Sequence, residues 1–122
     1  MAGEPILVVD DNPINLQLLV MLLRARGYEV DTAGSGEEMR AALARRLPRV
    51  VLMDLQLPGV DGLTLTRELK ADPATREIPV IAVTAYAMKG DEEKALAAGC
   101  DGYLTKPIDL ERVLALVARL LA

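Results

Sequence analysis

The chain has 122 residues, 52% of them apolar, with a formal net charge of −4 and a pI near 4.8. That length makes one domain with a real core, and the acidic balance argues against a nucleic-acid partner, which selects a basic face. The longest unbroken apolar run, Leu18 to Leu23, is too short for a membrane span of about 20 residues. No basic segment leads into an apolar one at the N-terminus, so no signal peptide is expected. The single cysteine, Cys100, cannot form an internal disulfide and suits a reducing cytoplasm. Histidine is absent, so any chemistry needing an imidazole must take it from another molecule.

In chain order, five strand-like segments, four of them carrying short apolar runs, alternate with five helix-like segments. The first strand covers residues 5–10 and runs into Asn12-Pro13, a good N-cap followed by a good first helical residue. Helix one continues to Arg26 and stops at Gly27. At 100° per residue its inward face holds Leu19, Leu22 and Leu23. Gln17 and Arg24 mark the solvent side, with Ile14, Val20 and Met21 on or beside it as a candidate docking patch. A second strand covers 28–33. Ser35 and Glu38 form a capping-box pattern for helix two, which ends before Pro48. The third strand is 50–53; Pro58-Gly59 and Asp61-Gly62 read as turns, and helix three covers 63–71. Pro73 and Pro79 bound the way into strand four at 80–83. Helix four runs 91–98 between Asp91 and Gly99, strand five 102–105, and helix five starts at Asp109.

Alternation of this kind predicts an α/β, flavodoxin-like (βα)5 fold, a doubly wound parallel sheet with strand order 2-1-3-4-5. One domain is expected over residues 1–122. Ligands of such sheets bind beyond the carboxyl ends of the strands where the order reverses, here between strands one and three. Asp10, Asp11 and Asp54 fall at those two ends, with Thr84 ending strand four and Lys106 ending strand five. Three carboxylates together repel one another, and a hard divalent cation relieves this. All-oxygen ligation suits Mg²⁺ or Mn²⁺ and argues against Zn²⁺. A lysine beside carboxylates pairs with them at rest and holds a phosphoryl oxygen when one arrives. An aspartate in this setting can attack phosphorus. The P-loop pattern is absent, which excludes a P-loop NTPase.

The segments Val8-Val-Asp-Asp-Asn12, Met53-Asp-Leu-Gln-Leu-Pro-Gly59, Val83-Thr-Ala85 and Tyr103-Leu-Thr-Lys-Pro107 resemble the receiver domain of two-component response regulators, in order and across nearly the whole chain. The stretches Asp11 to Asn15 and Thr84 to Glu93 are more similar to receivers of hybrid histidine kinases and to single-domain regulators of the cell-division-control type. The resemblance implies Asp54 as phosphoacceptor from a histidine kinase or histidine phosphotransfer protein. It implies Mg²⁺ held by Asp10, Asp11, Asp54 and the Gln56 backbone carbonyl. Lys106, Thr84 and Ala85 would contact the phosphoryl group, Tyr103 would turn inward, and Pro107 would be a cis or turn-forming proline. Self-hydrolysis would be tuned at Gln56 and Tyr86, and an output partner would meet helix four, strand five and helix five. The enzyme alternative is a haloacid-dehalogenase-like phosphatase, whose second aspartate is replaced here by Gln56. A flavodoxin-like electron carrier would want a hydroxyl-rich loop where this chain has Asp10-Asp11-Asn12.

Overall fold

The computed structural model describes residues 3–57, 59, 61–85 and 90–121. Five parallel strands, β1 (Pro5–Val9), β2 (Glu29–Ala33), β3 (Val50–Asp54), β4 (Val80–Thr84) and β5 (Gly102–Thr105), lie in the order β2-β1-β3-β4-β5. They alternate with α1 (Pro13–Ala25), α2 (Gly36–Arg45), α3 (Gly62–Ala71), α4 (Asp91–Ala98) and α5 (Leu110–Leu121). The expected architecture is borne out, and the expected boundaries hold to within a residue or two.

The three central strands, β1, β3 and β4, are near-continuous apolar runs because both faces of the sheet are covered there, whereas the edge strands β2 and β5 carry polar residues. Successive side chains point to opposite faces, and the core divides accordingly. Leu7, Val9, Val51, Met53, Val80 and Ala82 pack with Met39, Leu65, Leu69 and Ala95, contributed by α2, α3 and α4. Ile6, Val8, Val50, Leu52, Ile81 and Val83 pack with Leu19, Leu23, Val113 and Val117 of α1 and α5. With Phe and Trp absent from the chain, aliphatic residues fill this interior. No helix among the described residues is long and apolar enough to cross a membrane.

Helix entry follows local chemistry. The Asn12 side chain accepts from the backbone N–H groups of Ile14 (2.9 Å) and Asn15 (3.2 Å), with Pro13 in the first turn. Asp61 caps α3 through Thr64 N–H at 2.8 Å. At α2 the capping box is modified: Ser35 Oγ accepts from Glu38 N–H at 3.1 Å, but Glu38 reaches back to the N–H of Gly34 (2.9 Å). Ser35 thereby satisfies a donor left open at the helix start, and Glu38 ties down the residue before the cap.

Two sequence expectations change in three dimensions. Val20 is only partly exposed and packs against the α1–α5 core cluster, whereas Leu18 is 42% exposed. Ile14, Leu18 and Met21 are spaced i, i+4, i+7 and so share one stripe, from which Val20 is rotated away. Gly62 is the first residue of α3 and not a turn residue.

A clamp between distant segments fixes the amino ends of β4 and β5. Lys70 Nζ donates to the carbonyls of Ile78 (2.8 Å) and Arg76 (3.2 Å) and to Asp101 Oδ2 (3.1 Å), which also accepts from Val80 N–H at 2.9 Å. Lys70→Met keeps the aliphatic packing and removes the ammonium. It is expected to destabilise the domain by about 1 kcal/mol, read as a fall of roughly 3–5 °C in Tm by circular dichroism.

Candidate functional site

The site is built at the carboxyl edge of the sheet, where β1 and β3 are neighbours. Their register pairs Val9 with Met53, so the next residues, Asp10 and Asp54, stand side by side. Backbone ties hold both loops: Asp10 N–H donates to Ala33 (2.9 Å), Leu55 N–H to Val83 (2.9 Å), and Gly62 N–H to Leu55 (3.1 Å). Lys106 N–H donates to the Thr84 carbonyl at 2.7 Å, bringing the end of β5 against the end of β4. The Lys106–Pro107 peptide bond is cis.

Carboxylate oxygens of Asp10, Asp11 and Asp54 all lie within 4.8 Å of one another. Asp10 and Asp54 are buried, at 2% and 3% exposure, while Asp11 is exposed. The Lys106 ammonium sits 3.4 Å from Asp54 Oδ2 and 3.5 Å from Asp10 Oδ2. Asp10 Oδ1 accepts from Asn12 N–H at 2.9 Å, and Asp54 Oδ1 from Gln56 N–H at 2.9 Å. Burial pushes the Asp54 carboxyl above the usual aspartate range, against the Gln56 backbone N–H; the charge of Asp10 adds to the rise and that of Lys106 opposes it. The donors are oxygens only, two of the carboxylates are desolvated, and Asp11 faces solvent. This set fits a hard, partly hydrated divalent cation.

The structure brings together Asp10, Asp11, Asp54 and Lys106, with Thr84 and Ala85 linked to them through the Gln56 side chain. Gln56 Nε2 donates to Thr84 Oγ1 at 2.8 Å, and Ala85 N–H donates to Gln56 Oε1 at 3.1 Å. The sequence pointed to the backbone of Gln56 as a ligand and to its position as one that tunes hydrolysis; the reach of its carboxamide to Thr84 and Ala85 was missed. A long amide two residues beyond Asp54 was the available clue, but its target lies 28 residues away. Tyr103 packs partly buried against the α2–α4 side of the core, and its hydroxyl is buried without a hydrogen-bond partner among the described residues. Cys100 is buried, with burial raising its thiol pKa, as expected of an inert apolar residue. Tyr86 lies outside the described residues.

The model of the response regulator receiver domain matches residues 6–118, and the chain belongs to that family. It is therefore a receiver domain of two-component signalling; such domains are phosphoacceptor switches and not classical enzymes. It is 46% identical over 109 residues to the polar-differentiation response regulator DivK of Brucella ovis, covering 89% of each chain. Among solved structures it resembles the receiver domain of a sensor histidine kinase from Pseudomonas aeruginosa PAO1, with a TM-score of 0.88, 38% identity and 98% of each chain covered. That structure holds a magnesium ion coordinated in the active site cleft. The chemotaxis protein CheY4 of Vibrio cholerae aligns with a TM-score of 0.90 at 26% identity, over 98% of this chain and 99% of that one. None of this supports a haloacid-dehalogenase-like phosphatase.

Proposed function

We propose that this receiver accepts a phosphoryl group on Asp54 from the phosphohistidine of a histidine kinase or histidine phosphotransfer protein. The observation that carries the reading is the Lys106 ammonium held between two buried carboxylates, Asp10 and Asp54, with Asp11 beside them at the solvent edge. An Asp54 oxygen attacks phosphorus and forms the new O–P bond; the N–P bond breaks and its electron pair returns to the imidazole. Asp10, Asp11, Asp54 and the Gln56 backbone carbonyl would hold Mg²⁺. When bound, the cation neutralises charge on the phosphoryl oxygens. Lys106 exchanges a carboxylate for a phosphoryl oxygen, and the Thr84 hydroxyl and Ala85 N–H supply neutral donors. Hydrolysis of the acyl phosphate regenerates Asp54, and the working compartment is the cytoplasm.

The donor protein docks on the exposed stripe of α1, Ile14, Leu18 and Met21, with Val20 contributing at its inner margin. The output partner meets α4, β5 and α5. A groove of about 430 Å³ there is lined by Tyr103 together with Glu92, Leu96, Arg112, Leu116 and Arg119. Movement of Tyr103 with Thr84 would reshape it.

The test is intact mass after incubation with acetyl phosphate. One phosphate adduct is expected with Mg²⁺, none with chelator, and none on Asp54→Asn. A full adduct on Asp54→Asn defeats the assignment.

A further inference from the structure

Gln56 has a split role in the geometry. Its backbone N–H holds Asp54 Oδ1 at 2.9 Å, and its side chain reaches across to the β4–α4 connection. The Ala85 N–H has only a proton to give, so the amide oxygen must face it and the amide nitrogen must face the Thr84 hydroxyl oxygen. Both bonds have ordinary lengths, 3.1 Å and 2.8 Å. One carboxamide thus engages two consecutive residues, the same two that the proposed function assigns to the phosphoryl group. A single N–H cannot make full-strength bonds to an amide oxygen and a phosphoryl oxygen at once.

We propose that the Gln56 carboxamide is an internal competitor of the phosphoryl group: in the unphosphorylated protein it occupies the Ala85 N–H and ties down Thr84, and it must let go before those groups can close on a phosphorylated Asp54. A place to go is at hand. A crevice of about 230 Å³ beside the amide is also lined by Asp61, Asp91 and Lys94, polar alternatives at the α3 entry and on α4. The two states then differ by which acceptor the Ala85 N–H serves, and the bias toward the unphosphorylated one is set by a side chain that never touches the incoming phosphorus. This inference rests on the phosphoacceptor reading above and extends it to an uptake control distinct from hydrolysis.

Beryllofluoride with Mg²⁺ separates uptake from hydrolysis, because its complex with a carboxylate contains no ester to cleave. Affinity is measured by amide chemical shifts in the wild type, in Gln56→Met, which keeps the side-chain length without the amide, and in Gln56→Ala. Loss of two neutral hydrogen bonds that only the unbound state makes is expected to tighten binding about three- to tenfold in both variants. A purely structural role would leave affinity unchanged or weaken it. Wild-type binding with equal or weaker binding in both variants overturns the competitor and leaves the phosphoacceptor reading standing. A wild type that shows no Mg²⁺-dependent shifts around Asp54 overturns both.

Discussion

Gly62→Ala is expected to destabilise the domain by about 2–3 kcal/mol and lower Tm by roughly 8–12 °C, although alanine is the better helix former. Gly62 opens α3 directly against the end of β3. A Cβ there would lie 2.4 Å from the Asp54 carbonyl oxygen and 2.8 Å from Leu55 Cα. Both are backbone atoms at the end of β3, where Asp54 pairs with Val83 and the Leu55 N–H donates to the Val83 carbonyl, so no rotamer change relieves the overlap. The helix gain from glycine to alanine is about 0.5–1 kcal/mol; overpacking of this kind costs more, about 1–3 kcal/mol or above. The strain falls on the residue proposed to take the phosphoryl group, so phosphate uptake should fall with stability. Gly59→Ala is the control. Gly59 has φ +81°, but no described atom lies within 4 Å of its added Cβ, and a left-handed alanine costs only about 1–2 kcal/mol. Thermal melts of the two variants, with intact mass after acetyl phosphate, check this. A Gly62→Ala protein that melts with the wild type and labels normally would show that the loop yields freely.

Asp54→Asn should have the opposite effect on the metal-free protein, raising its stability at pH 7, because it removes a buried charge whose desolvation is its largest unfavourable contribution. Asp54 is held above its ordinary pKa of 3.8 chiefly by burial. The folded chain therefore binds this proton more tightly than the unfolded chain does. The stabilisation tied to the proton is fully present below the unfolded value and is lost as pH rises through the higher folded one. At neutral pH the ionised, buried carboxylate opposes folding, and asparagine removes the charge while keeping the shape. Lys106 stays paired with Asp10. Denaturant melts in chelator should show the advantage of Asp54→Asn at pH 7 shrinking toward zero below about pH 4. Added Mg²⁺ should stabilise the wild type more than the variant. An Asp54→Asn protein less stable than wild type at pH 7 in chelator would mean that the bond to Lys106 outweighs desolvation.

Much of the fold was legible because its signals are local. Apolar runs such as Ile6 to Val9 and Val80 to Val83 mark buried parallel strands, and Asn12-Pro13 marks where α1 begins. The acidic cluster was legible for a related reason: parallel topology carries every strand end to one edge, so Asp10, Asp54 and Lys106 needed only their positions after the strands. What escaped depends on distance in space. Gly62 reads as a turn until the backbone of Asp54 is seen against it. The Lys70–Asp101 contact joins residues 31 apart, and nothing near Lys70 announces it. Val20 and Leu18 differ by a rotation that the packing of α1 decides.

Tyr103 sets two opposed contributions against each other at the β5 edge of the sheet. Its ring gains apolar contact with the core, but its buried hydroxyl has given up water without finding a partner among the described residues. An unmet hydroxyl of this kind costs about 1–3 kcal/mol, of the same order as the burial of an aromatic ring. Swinging the phenol toward the groove therefore exchanges one contribution for another of opposite sign, and the net change is small. On its inner side β5 is held by its pairing to β4, with Ala82 opposite Tyr103. Under the proposed switch, a single side-chain torsion is the coordinate that changes, while the pairing of β5 to β4 stays in place.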